Sequence, residues 1–134
     1  MTNKKNHMIK QPLGIYIHIP FCLQKCLYCD FCSFPQARED VVSQYVEVLT
    51  SQIASWGRRC AQECPPNSRP SVDTVYFGGG TPTLLTLPQW AKILDELHKH
   101  FSVLPGAEIT AETNPAAAIR ANMPLLRRRD WSLR

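Results

Sequence analysis

Three thiols stand close together early in the chain: Cys22, Cys26 and Cys29, at spacing C-x3-C-x2-C, directly after the apolar run from Gly14 to Phe21. Thiolates bind iron–sulfur clusters and other soft centres, and a compact loop can aim three sulfurs at one of them. Three protein ligands leave one iron of a four-iron cluster open to a substrate or cofactor. A structural zinc site takes four protein ligands, and here the fourth is Cys32, three positions past Cys29. Spacing favours the cluster, with zinc or plain core packing as the alternatives. Cys32 reads more readily as a small hydrophobe than as a ligand. Cys60 and Cys64 repeat a C-x3-C spacing in a proline-rich stretch with no third partner, and read as incidental.

Two further stretches carry chemistry. Gly78-Gly79-Gly80-Thr81-Pro82-Thr83 has no Walker lysine and no GxGxxG spacing, so it is not a phosphate loop. It reads equally as a tight strand exit and as bare backbone that lets a ligand approach closely. Glu112 is either an exposed strand residue or a carboxylate that accepts hydrogen bonds from an ammonium group. His98 and His100 read as a solvated helix terminus, favoured there by the helix dipole, and are assigned no metal.

The elements that must position these residues follow from periodicity. Residues 13–19 alternate as a strand, with Ile15, Ile17 and Ile19 on one face and Tyr16 and His18 on the other. Val42, Tyr45, Val46, Leu49, Ile53 and Trp56 recur at helical spacing over about residues 39–58. Residues 60–71 hold three prolines and read as a loop, and residues 72–77 read as a second strand. Pro88 opens a second helix with Trp90, Ile93, Leu94, Leu97 and Phe101 on one face. Pro105-Gly106 marks a turn before a third strand over residues 107–113. A strand–helix–strand–helix–strand order predicts an α/β fold with a parallel sheet. All three strand ends then point one way, bringing the cysteine loop, the glycine turn and Glu112 to one edge, where such sheets place their chemistry.

Composition narrows the function classes. The 134 residues suffice for one domain, and 44% hydrophobic with 19% charged residues is a globular balance. The net charge of +4 is carried entirely by residues 120–134, so the body is neutral and shows no nucleic-acid footprint. No signal peptide or transmembrane span is legible, and clustered thiols then suggest a reducing, cytoplasmic setting. The expected organisation is a flexible leader over 1–12, a core over 13–119 and a basic tail over 120–134.

Ile15-Tyr16-Ile17-His18-Ile19-Pro20-Phe21-Cys22, followed by Cys26 and Cys29-Asp30-Phe31, resembles the radical S-adenosylmethionine enzymes. Within them it is similar to the branch of oxygen-independent coproporphyrinogen III oxidases and HemW-type haem chaperones. Phe77 to Thr83 and Glu112-Thr113-Asn114-Pro115 resemble that branch's next two motifs. The resemblance implies the N-terminal βαβαβ portion of a partial TIM-type barrel. It implies that Cys22, Cys26 and Cys29 hold a 4Fe–4S cluster whose open iron binds S-adenosylmethionine, cleaved on reduction to a 5′-deoxyadenosyl radical. It places Tyr16 and Tyr28 beside cluster and cofactor, Gly79, Gly80 and Thr81 at the methionine end, and Glu112 in contact with the cofactor. The cofactor carries the radical chemistry and the protein aims it.

The oxidases carry a fourth cysteine where this chain has Phe31, so the resemblance favours the HemW type, which implies haem or a porphyrin as a further ligand and leaves the electron donor unnamed. The oxidase and a small zinc-binding interaction module remain the alternatives. Family members are much longer, and residues 123–134 do not resemble them. A frameshift or truncation near residue 116 is therefore expected, which resequencing the locus checks, as is inactivity of this chain alone.

Overall fold

The structure is a computed structural model and describes residues 11–30 and 32–114. The expected tail over 120–134, and all but the last two residues of the expected leader over 1–12, lie outside the described residues. So does the frameshift expected near residue 116.

Strand β1 spans Leu13–Ile19, and its burial alternates so that Ile17 and Ile19 are buried while Tyr16 is exposed. Pro20 ends it, since proline offers no N–H to extend the ladder. Two short strands then close the cysteine loop: β2, Phe21–Cys22, lies parallel to β3, Phe34–Pro35. The Phe34 N–H donates to the Pro20 carbonyl at 2.7 Å and the Gln36 N–H to the Cys22 carbonyl at 2.9 Å. The loop thus leaves and returns at one place.

Helix α1, Glu39–Ala61, has Glu39 and Asp40 in its first turn and Arg58 and Arg59 in its last, each sign where the helix dipole favours it. It is longer than the periodicity predicts and carries Cys60 within it. Its buried stripe is Val46, Leu49, Ile53 and Gly57. Trp56, expected on that stripe, is instead 51% exposed. Gly57 takes the inward place because a side chain there would meet the His100 Cβ at 2.4 Å, and the Trp56 ring turns out to stack with Arg59 at 4.7 Å. His100 is correspondingly not a solvated terminus: it is half-buried against Gly57 and bonded to Glu96 at 2.8 Å.

Strand β4, Ser71–Gly79, lies in the middle of a three-stranded sheet of order β1, β4, β5. It runs parallel to both neighbours, with Tyr16 opposite Tyr76 and Tyr76 opposite Thr110. A short 3-10 turn, Pro82–Leu84, leads to helix α2, Leu87–His100. Thr86 and Gln89 form a reciprocal capping box at its start. Strand β5 spans Ser102–Ala111, beginning earlier than the sequence predicts. Pro105 and Gly106 do not precede it as a turn. They lie inside it, in an irregularity where the register with β4 shifts, and Gly106 takes φ of 82°. Glu112 and Thr113 fall just beyond its end.

One sheet face, both helices and the strand ends share a single core of Ile17, Ile19, Val46, Ile53, Val75, Phe77, Trp90, Ile93, Leu97 and Ile109, among others. The rings of Phe77 and Trp90 meet edge-on at 4.7 Å. The opposite face carries Tyr16, Thr74, Tyr76 and Glu108, all exposed. The result is the predicted α/β arrangement, a parallel sheet with alternating strands and helices. No helix among the described residues is long and apolar enough to cross a membrane.

Candidate functional site

Three neighbouring strand ends build the site. β1 delivers the cysteine loop, β4 the glycine turn and β5 the carboxylate of Glu112. They are tied to one another by backbone hydrogen bonds that continue past the sheet: Gly80 N–H to the Ile19 carbonyl at 2.8 Å, Thr81 N–H to the Phe21 carbonyl at 2.7 Å, and Glu112 N–H to the Phe77 carbonyl at 2.9 Å.

The three glycines each make room for something in the chain itself. A side chain at Gly80 would meet the Phe21 carbonyl oxygen at 2.6 Å, and one at Gly79 would meet the His18 ring at 2.5 Å. Gly79 also takes φ of 108°, a conformation L side chains rarely adopt. A side chain at Gly78 would strike the Tyr76 ring at 2.8 Å, with Tyr16 at 3.2 Å and Glu112 at 3.3 Å. The bareness of Gly78, a residue not assigned a role from the sequence, therefore lets Tyr16, Tyr76 and Glu112 gather over one spot. The N–H groups of Gly79, Gly80 and Thr81 are all donated within the chain, so the backbone of these three residues offers a ligand carbonyl oxygens.

Glu112 is held by both oxygens. Tyr76 donates its hydroxyl to Oε1 at 2.7 Å, and the Gly79 N–H donates to Oε2 at 3.0 Å. Glu112 raises the Tyr76 phenol above its ordinary value of 10.0, because a phenolate would lose that hydrogen bond and face the carboxylate. The Tyr76 ring stacks on Tyr16 at 6.0 Å, with 21° between planes. Tyr16 in turn bonds through its hydroxyl to His18 Nδ1 at 2.9 Å. Sequence reasoning missed Tyr76; the signal that finds it is the register that sets it opposite Tyr16.

Cys22, Cys26 and Cys29 are all half-buried free thiols in the closed loop, and Cys32 is exposed. The Cys29 N–H donates to the Cys26 carbonyl at 3.0 Å, forming a tight turn between the last two. Thr81, itself buried, points its hydroxyl at the Cys22 sulfur at 3.8 Å, linking the glycine turn to the first thiol. Tyr28 stands almost wholly in solvent on the loop. The Cys26 side chain beside it holds its phenol above the ordinary value, with Cys29 adding to the effect. Among the described residues, no three His, Cys, Asp or Glu side chains converge tightly enough to hold a single metal ion. The structure therefore brings Cys22, Thr81, Gly79, Tyr16 and Glu112 together, joins Cys26 and Cys29 in one turn of the loop, and leaves Tyr28 exposed. Cys64 is buried, and that burial raises its thiol's value.

No family model matches the chain. Among characterised relatives it is similar to the haem chaperone HemW of Mycobacterium tuberculosis, 38% identical over 107 residues, covering 78% of this chain and 26% of that protein. The HemW of Escherichia coli is likewise 38% identical over 104 residues, with the same two shares. An oxygen-independent coproporphyrinogen III oxidase of Bradyrhizobium diazoefficiens is 34% identical over 102 residues, covering 76% of this chain and 21% of the oxidase. Among solved structures, the coproporphyrinogen III oxidase HemN of Escherichia coli, described as a radical SAM enzyme, superposes with a TM-score of 0.71 at 28% identity. That match covers 81% of this chain and 24% of the oxidase. The chain spans about a quarter of the length of the relatives it matches.

Proposed function

Since the chain is a stretch of HemW/HemN-type radical S-adenosylmethionine protein, we propose that it forms the cluster- and cofactor-binding part of a HemW-type haem chaperone. The observation that carries this reading is the meeting of Cys22, Thr81, Gly79 and Glu112 at adjoining strand ends.

The donor set suits a 4Fe–4S cluster. A cluster of that kind takes each protein thiolate on a different iron, so it asks for three sulfurs in one pliable loop and not for convergence on one ion. Cys22, Cys26 and Cys29 supply those sulfurs. When bound, the cluster supplies one-electron reduction of a sulfonium. The chain's own groups do the rest. Glu112 and the carbonyl oxygens of the glycine turn make an acceptor-rich corner, which selects an ammonium group over an anion. Gly79 and Gly80 let that group approach the backbone. Tyr16 and Tyr28 offer ring faces beside the bound cluster and cofactor. Haem or a porphyrin is the further ligand, as the names of the relatives suggest.

Phe31 favours the chaperone over the oxidase, since the oxidases resembled here carry cysteine at that place. Anaerobic reconstitution of the chain with iron and sulfide tests the reading. The expected product binds four iron and four sulfide, and its reduced-state EPR signal changes on adding S-adenosylmethionine. Alanine at Cys22, Cys26 or Cys29 abolishes cluster uptake, whereas Cys32→Ala keeps it. One tightly bound zinc, lost on Cys32→Ala and with no cluster uptake, would instead establish the zinc-binding module.

A further inference from the structure

The hydroxyl of Tyr76 reaches Glu112 Oε1 at 2.7 Å, while the Gly79 N–H holds Oε2 at 3.0 Å. A glutamate side chain has three rotatable bonds, and the single Gly79 contact leaves the carboxylate free to pivot about that one oxygen. The second contact removes the pivot. Tyr76 is 37% exposed and takes no part in the hydrophobic core, so its place is not explained by packing. Its ring lies flat against Tyr16 over the bare backbone of Gly78, which aims the hydroxyl at the carboxylate. Each carboxylate oxygen still has accepting capacity beyond these two bonds.

We propose that Tyr76 is a positioning residue: it fixes the orientation in which Glu112 accepts a hydrogen bond from the ammonium group of a bound cofactor. The inference rests on the reading of Glu112 as a cofactor contact. Tyr76 bonds to Glu112 and stacks on Tyr16, and it acts through the former.

Tyr76→Phe keeps the ring and its stack on Tyr16 and removes only the hydroxyl, and Glu112→Gln keeps the shape and removes the charge. The full chain is reconstituted anaerobically, and S-adenosylmethionine is titrated against the reduced-state EPR signal. Tyr76→Phe weakens binding about ten-fold in the unmodified chain, the scale of one charge-assisted hydrogen bond. In the Glu112→Gln background the same change weakens it less than about two-fold, because the residue it acts through is already altered. Equal weakening in both backgrounds, or none in the first, overturns the proposal.

If the unmodified chain shows no response to S-adenosylmethionine, the reading of the site falls, and the pairing is decided separately in the cofactor-free chain. There the alkaline absorbance titration of the unmodified chain minus Tyr76→Phe isolates this phenol. Its midpoint lies above 10.0, chiefly through the Glu112 hydrogen bond and then through desolvation, the Glu112 charge and Tyr16. Glu112→Gln brings the midpoint back toward the ordinary value. A midpoint unmoved by Glu112→Gln overturns the pairing.

Discussion

Tyr45 donates its hydroxyl to the backbone carbonyl of His18, so the helix that follows the cysteine loop grips the strand that precedes it. The same ring meets Phe21 edge-on at 5.2 Å. The last stretch of β1 is thereby held on its outer edge, where the sheet offers no neighbouring strand among the described residues. Tyr45→Phe retains the ring contact and leaves the carbonyl without this donor. It lowers stability by about 1 kcal/mol, read from urea unfolding, with an unchanged dependence on denaturant. No loss of stability would show that solvent replaces the bond without cost.

The glycines differ in what a side chain would meet, and alanine substitution ranks them. At Gly80 the obstruction is the backbone of Phe21 and Ile19, which cannot give way, so Gly80→Ala costs most, about 3 kcal/mol. At Gly79 the obstruction is the movable His18 ring, added to a positive φ, and the cost is about 2 kcal/mol. At Gly106 there is open space and only the positive φ of 82°, for about 1 kcal/mol. Gly14 has open space and no such φ, so Gly14→Ala is neutral or slightly stabilising. Thermal unfolding of the four variants checks the order, and a Gly80 variant more stable than the Gly106 variant contradicts it.

Burial lowers the His98 imidazole below its ordinary value of 6.5, with Arg69 pushing the same way and Asp95 opposing. The unfolded chain therefore takes up a proton at a pH where the folded chain does not yet do so. Stability is full above 6.5 and falls as pH drops from there through the folded value. Unfolding midpoints measured between about pH 5 and 8 show this decline, and His98→Gln flattens it. A decline of equal slope in the variant would assign it to other groups.

Local pattern made much of this fold legible. The alternation of Ile15, Ile17 and Ile19 marks β1 to the residue, and Trp90, Ile93, Leu94 and Leu97 mark the buried face of α2. The convergence of the cysteine loop, the glycine turn and Glu112 also follows from element order alone, because parallel strands end on one side. What sequence could not show were contacts set by register. Tyr76 meets Glu112 across 36 positions only because β4 and β5 pair as they do. Trp56 was misplaced because helical periodicity cannot see that His100 claims the space beside Gly57. The purpose of the three glycines was open for the same reason: the atoms that crowd them, at Phe21, His18 and Tyr76, come from elsewhere along the chain.

The irregularity within β5 works as a phase adjustment. Ser71 pairs with Ser102, 31 positions later, whereas beyond the shift Thr74 pairs with Glu108, 34 later, a slip of three. An odd slip exchanges the two faces of a strand. Carried on without it, the first pairing would bring Glu108 level with Phe77 in the core and set Ile109 level with Gly78, on the polar face. Val103 and Ile109, six positions apart, both face the core, so β5 keeps its faces. The exchange falls in β4, where Val72 and Val75 are both buried. The extra chain around Pro105 and Gly106 restores the match and lets Glu112 arrive beside Gly79. The timing of the carboxylate is thus set within its strand, about six residues before it appears.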